Sequence, residues 1–210
     1  MSTRGAFGFR INNKDKITYK HMDSYPDDLG REILDFINIS TIEQLSQVAQ
    51  DIILVDNTQT PSKFQIETCK KWSILSTSNE NNPDWYCLLR KAQGKLDPYI
   101  QGLNYMMDSS DFLCDSLYCE YAYIIDIDSG CLEVYSGYVQ KPYKTMGRYA
   151  DKKSPTATGF YGVVLVAKYP LKKIISATSD KLDTIITDME SKISDFHYAQ
   201  QQSLAHKVFA

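Results

Sequence analysis

Apolar and polar residues alternate in two short stretches at the start of the chain, Gly5–Arg10 and Lys16–Met22. A period of two is the mark of a strand with one buried face. Between them, Asn12-Asn13-Lys14-Asp15 is a polar turn of residues that tolerate left-handed backbone. The pair therefore reads as a β-hairpin. Asp23-Ser24-Tyr25-Pro26-Asp27-Asp28 breaks the second strand and opens a helix. The acidic residues of its first turn complement the positive end of the helix dipole.

The period then changes to that of a helix. Leu29, Ile33, Phe36 and Ile37 fall on one helical face. Ser40-Thr41-Ile42-Glu43 fits an S-x-x-E capping box, so a second helix is expected to start near Thr41. Its apolar stripe is Leu45, Val48, Ala49, Ile52 and Ile53. Further helices are expected from Ser62 to about Trp72 and from Asp84 to Gln93, with a polar loop over Ser76–Pro83 between them.

The strongest strand signal is Glu120–Ile127. The turn Asp128-Ser129-Gly130 joins it to a partner strand near 131–136, with Gly where a positive φ is needed. Another strand is expected near 160–168, ended by Pro170. Leu182, Ile185, Ile186, Met189, Ile193 and Phe196 recur at helical spacing and predict a long amphipathic C-terminal helix. The order strands, helices, strands, helix predicts one α+β domain over residues 1–210, a mainly antiparallel sheet with helices packed on it.

Composition narrows the class. Of 210 residues, 43% are apolar and 23% charged, values of an ordinary folded domain. The net charge of -3 supplies no basic excess of the kind nucleic-acid binding requires, so nucleic acid is not an expected partner. The local run with Lys141, Lys144 and Arg148, interleaved with Tyr138, Tyr143 and Tyr149, is expected to be a solvated loop. The five cysteines form no C-x-x-C and no recognisable zinc spacing with His21, His197 or His206. They read as free thiols of a cytoplasmic protein. No apolar run reaches membrane-span length, and no cofactor motif occurs. Fifteen tyrosines against eight phenylalanines are unusual; most are expected as half-buried strand residues.

Two segments carry a family likeness. The first runs from Ser2-Thr3-Arg4-Gly5 through His21-Met22-Asp23-Ser24-Tyr25-Pro26 to Leu29-Gly30. The second is Asp115–Asp128, with Glu120-Tyr121-Ala122-Tyr123 at its centre, followed by Leu132-Glu133-Val134-Tyr135. Together they resemble a family of uncharacterised phage, bacterial and fungal proteins over roughly residues 2–37 and 115–137. That family opens with Thr-Arg-Gly and carries an Asn-His-x-Asp-Ser-Tyr-Pro segment and a Glu-Tyr-Ala-Tyr hairpin. Here Lys20 stands where the family has Asn, and Asp28 where it has Gly. The resemblance implies no activity. If the chain is viral, it is expected to sequester a host signalling nucleotide or to block a host defence protein.

The chemistry-bearing residues nearest these motifs are Arg4, His21, Asp23 and Tyr25. An antiparallel hairpin brings Arg4 beside His21, and strand alternation points His21 and Asp23 the same way. The four are expected to converge on a partly exposed cleft, to which the helix start after Pro26 adds N–H groups. That set suits a small anionic ligand such as a nucleotide, a protein partner, or acid–base work by the His21/Asp23 pair. A homo-oligomer is a further possibility for the C-terminal helix.

A different class of reading starts from Ser2. With Met1 removed, its hydroxyl and α-amine can act together on an amide, and the opening superficially looks like that of N-terminal-nucleophile amidohydrolases. Cys119 lies beside Glu120 and near Asp115, carboxylates that raise a thiol pKa; it is expected to be a buried structural residue. Asp126, Asp128 and Glu133 lack the rest of a calcium loop and are expected in a solvated hairpin turn.

Overall fold

β1 (Gly5–Ile11) and β2 (Lys14–Lys20) pair antiparallel, Gly5 opposite Lys20 and Gly8 opposite Ile17. Asn12 and Asn13 make the turn at φ 52° and 60°. Their two N–H groups both donate to the carboxylate of Asp128, at 2.8 Å each. One hairpin turn is thus tied to the other. The protein is described by a computed structural model over residues 3–74, 83–143 and 146–208, apart from the side chains of 206–208. The remaining strands are β3 (Ile53–Val55), β4 (Tyr105–Met107), β5 (Tyr121–Asp126), β6 (Cys131–Ser136) and β7 (Val164–Pro170).

The main sheet has five strands in the order β2-β1-β5-β6-β7. Three of its four pairings are antiparallel; β1 and β5, at its centre, run parallel. The expected α+β fold is therefore observed. Two differences concern boundaries. Ile53, expected on the stripe of the second helix, instead begins β3, which pairs in parallel with β4 in a separate small sheet. Three-residue strands leave too short a pattern to read. β2 ends at Lys20 rather than Met22, and Asp23 takes a φ of 56°. Alternation therefore does not extend from His21 to Asp23.

The helices are α1 (Arg31–Asn38), α2 (Ile42–Asp51), α3 (Lys63–Cys69), α4 (Trp85–Leu89), α5 (Asp97–Ile100), α6 (Leu171–Ile174) and α7 (Ser179–Val208). A single π-helical turn, Pro26–Gly30, leads into α1. The cap of α2 is displaced by one residue from its expected place: Thr41 accepts from the Gln44 N–H, and the Gln44 side chain accepts from the Thr41 N–H. Ser40 instead donates to the Phe36 carbonyl and closes α1. α4 is shorter than the Asp84–Gln93 expected, with turns from Arg90 onward.

The front of the sheet carries Phe7, Phe9, Tyr123, Ile125, Leu132 and Val134, packed under α1, α2 and α7. Ile186, Met189 and Ile193 are buried there, while Ile185 and Phe196 are half-buried. The back carries Ala6, Ile17, Ala122, Ile124 and Tyr135, covered by segments with no long helix, 109–119, 137–143 and 146–163. Among the described residues, no helix is long and apolar enough to cross a membrane.

The back also holds an ion network that the sequence reading placed in solvent. Glu133 is 1% exposed and Asp126 3%. Arg148 meets Glu133 with both ends of its guanidinium, at 2.9 and 2.6 Å, and reaches Asp126 at 3.7 Å. Lys168 meets Glu133 at 2.9 Å, and Tyr149 donates to Asp15 at 2.6 Å. Arg148 therefore points inward rather than into a solvated basic loop, and Lys141 donates to the Thr158 carbonyl. Lys144 lies outside the described residues.

Candidate functional site

The strand directions gather four chain segments at one end of the sheet. β1 and β5 begin there and β2 and β6 end there, because Gly5 pairs with both Lys20 and Tyr121, and Tyr121 pairs with Ser136. Arg4, His21, Glu120 and Tyr138 lie just beyond these strand ends. The main chain is fastened at this point. Glu120 N–H donates to the Arg4 carbonyl at 3.0 Å, and Gly137 N–H to the Glu120 carbonyl at 2.8 Å. The Arg4 N–H in turn donates to the Glu120 carboxylate at 3.2 Å.

Arg4 lies with its guanidinium 4.6 Å from the centre of the Tyr118 ring, a cation–π contact. Tyr19 shares the back face with Ala6 and meets Phe112 edge-on at 5.0 Å. Its hydroxyl lies 2.9 Å from His21 Nδ1. Burial pushes the Tyr19 phenol up and the nearby Arg4 charge pulls it back, so the two sit within electrostatic reach. His21 is exposed.

Tyr25 is 43% exposed and rests on Tyr121, ring centres 5.7 Å apart, on the front side. Asp23 is exposed and contributes, with Asp27 and Glu32, to raising the Asp28 carboxyl, after the larger effect of desolvation. The helix start after Pro26 is thus surrounded by carboxylates, and an anion is better placed on the Arg4 side of the rim. Ser24, between Asp23 and Tyr25, is wholly buried, and its hydroxyl has no hydrogen-bond partner. Gly5 leaves room for it: a Cβ on Gly5 would stand 2.7 Å from the Ser24 Cβ.

Tyr138 stands between the two sides. Its phenol is raised by burial and by the nearby Glu120 carboxylate, and the charge of Arg4 pulls it back. Its backbone has φ 54°, a left-handed conformation that an aromatic residue seldom adopts. Two bonds hold it there: Tyr138 N–H donates to the Ser116 carbonyl at 2.6 Å, and its carbonyl accepts from the Gln200 amide at 2.9 Å. Beyond Tyr138, a cleft of about 330 Å³ opens between the loop after β6 and α7.

His197, on that helix, is half-buried, and burial pushes its pKa down. Its Nε2 lies 3.0 Å from the Ser136 hydroxyl, the contact of a nucleophile and its base. Ser136, however, is wholly buried, so its hydroxyl has no approach for a substrate. Cys119 is buried as expected, and burial, then Asp115 and Glu120, hold its thiol far above the usual range. Ser2 lies outside the described residues. Among those described, no group of His, Cys, Asp and Glu is arranged to hold a metal ion.

The register thus brings Arg4, His21 and Tyr25 to one end of the sheet, on its back, edge and front. Sequence reasoning missed Tyr118, His197 and the position of Tyr138. No local pattern joins residues 118, 138 and 197; the only signal was the surplus of tyrosine. Comparison of the chain with protein-family models, curated proteins and solved structures finds no match.

Proposed function

We propose that this protein binds a small anionic ligand of nucleotide type at the rim formed by Arg4, Tyr25, Tyr118 and Tyr138. One observation carries the reading: among the described residues the Arg4 guanidinium has no carboxylate within ion-pair distance and lies over the Tyr118 ring where four strand ends meet, whereas Arg10, Arg31 and Arg148 are each paired. Arg90 also lacks a carboxylate, but it lies over Tyr86 and donates to Gln93, away from that rim. A cation held over an aromatic ring, beside other exposed rings, offers charge to a phosphate and flat surfaces to a base. Tyr118 and Tyr138 are 38% and 42% exposed. His21 and Asp23 flank the rim as polar groups for hydroxyls of the ligand. All five cysteines are free thiols, which supports a reducing, cytoplasmic setting.

Calorimetric titration of the full chain with nucleoside mono-, di- and triphosphates and with pyrophosphate tests the reading. Arg4→Ala is expected to weaken binding at least about tenfold, the scale of one charge-assisted contact. Its melting temperature should stay close to that of the wild type, since Arg4 holds no buried ion pair. Equal affinity in wild type and Arg4→Ala, or no binding of any of these anions, overturns it. In the latter case the exposed tyrosines point to a protein partner instead.

A further inference from the structure

We propose that the cleft between Tyr138 and α7 is the base-recognition half of this site, so that a nucleotide lies across Tyr138 with its phosphate toward Arg4. The inference rests on the anion-binding reading above and assigns the ligand a direction within it.

The first support is the backbone of Tyr138. A left-handed aromatic residue carries conformational strain, and such strain persists where surrounding bonds over-determine it. Here Ser116 and Gln200 hold the two sides of the residue. Gln200 is 4% exposed, and both ends of its amide are engaged: the oxygen accepts from the Gln140 N–H at 2.8 Å while the nitrogen donates to the Tyr138 carbonyl. Helix α7 thus fixes the Tyr138 backbone while the side chain stays partly exposed, its ring centre 6.5 Å from that of His197. A purely structural turn at this position would be served better by Gly or Asn.

The second support is the chemistry of the cleft. Besides Tyr138 it is lined by Gln140, His197, Gln200, Gln201 and Leu204. Among the described residues the lining contains no Lys, Arg, Asp or Glu. Exposed amides at Gln140 and Gln201 provide both donors and acceptors, as the edge of a base requires, and provide nothing for a phosphate. At about 330 Å³ the cleft lies near the small end of ligand sites and has room for a base. The third support is position. Gly137, next to Tyr138, donates its N–H to the Glu120 carbonyl, and the Glu120 carboxylate receives the Arg4 N–H, so cleft and cation flank one tyrosine.

Tyr138→Gly separates a binding role from a structural one. Gly adopts a φ of 54° freely, so this variant should melt within about 2 °C of wild type or above it. It should bind nucleotides about tenfold more weakly, the scale of one base–aromatic stack, and bind pyrophosphate as wild type does. Gln201→Ala, at an exposed position, should change the ratio of adenine- to guanine-nucleotide affinities at least about threefold, the scale of one neutral hydrogen bond, without affecting pyrophosphate. Nucleotide binding that depends on Arg4 but is unchanged in both variants overturns the base subsite alone. Equal losses for nucleotide and pyrophosphate in Tyr138→Gly overturn it too. Failure of every anion to bind wild type removes the anion reading, and the subsite with it.

Discussion

Arg148 reaches from the segment after β6 across the back of the sheet and grips Glu133 with both ends of its guanidinium, at 2.9 and 2.6 Å. Glu133 projects from the middle of β6 and is 1% exposed. The pair fastens a segment without regular structure to the sheet that it covers. Removing Arg148 leaves the buried Glu133 carboxylate with only the exposed Lys168 as ion partner, so Arg148→Ala is expected to lose about 3 kcal/mol in urea unfolding. Arg148→Met/Glu133→Leu, which removes both charges and keeps apolar volume, should lose less than Arg148→Ala.

The same pair sets a dependence on acid. Burial acts to raise the Glu133 carboxyl, but the hydrogen bonds from Arg148, Lys168 and Tyr135 together outweigh it and hold the group below the usual Glu range. A carboxyl depressed in the folded state contributes stability that is complete above the unfolded value, about 4.3. The contribution is lost as pH falls from there through the folded value. Melting followed between pH 6 and pH 3 should show a steep acid limb that is flatter in Glu133→Gln.

His197 predicts a second window, nearer neutrality. Burial lowers its folded pKa, so the unfolded chain takes up a proton first as pH falls below about 6.5. Stability is therefore full above that value and declines beneath it, until the folded His197 also protonates. The decline in melting temperature between pH 7.5 and 5.5 should be smaller in His197→Gln, which keeps a polar group beside Ser136.

Gly8 marks where two strands cannot be parted. A Cβ there would stand 2.0 Å from the Lys16 carbonyl oxygen. Backbone cannot yield as a flexible side chain does, so Gly8→Ala is expected to cost about 3 kcal/mol or more, or to prevent folding, as judged by circular dichroism.

Helix α7 should be equally sensitive along one stripe only. Met189 is wholly buried against the front of the sheet, while neighbouring Glu190 is exposed. Met189→Ala is expected to destabilise by about 3 kcal/mol and Glu190→Ala by less than about 0.5 kcal/mol in denaturant titration. Similar losses at both positions would mean that the helix is covered on both faces.

Local regularities determined much of this protein from the sequence alone. Alternation placed β1, β5 and β6, and the helical period of Leu182–Ile193 placed α7, because both patterns record which side of an element meets a core. The turn residues Asn12, Asn13 and Gly130 announced their positive φ values, 52°, 60° and 66°, through side-chain chemistry. Hairpin register also put Arg4 and His21 at one end of the sheet.

Tertiary structure decided what sequence distance conceals. The parallel pairing of β1 with β5 joins residues more than a hundred positions apart. It makes neighbours of Arg4, Glu120 and Tyr138, where a local pattern shows only separate motifs. Glu133 reads in the sequence as part of a solvated hairpin turn; in the sheet it stands on the face opposite the helices. That face is buried by a segment with no period of its own, and the buried carboxylate is tolerated because Arg148 and Lys168 come with it. His197 and Gln200 belong to an ordinary helical turn until α7 packs beside Tyr138. Side-chain period reports burial within one element; which charges and rings meet depends on contacts between elements, and those are set only when the whole chain has folded.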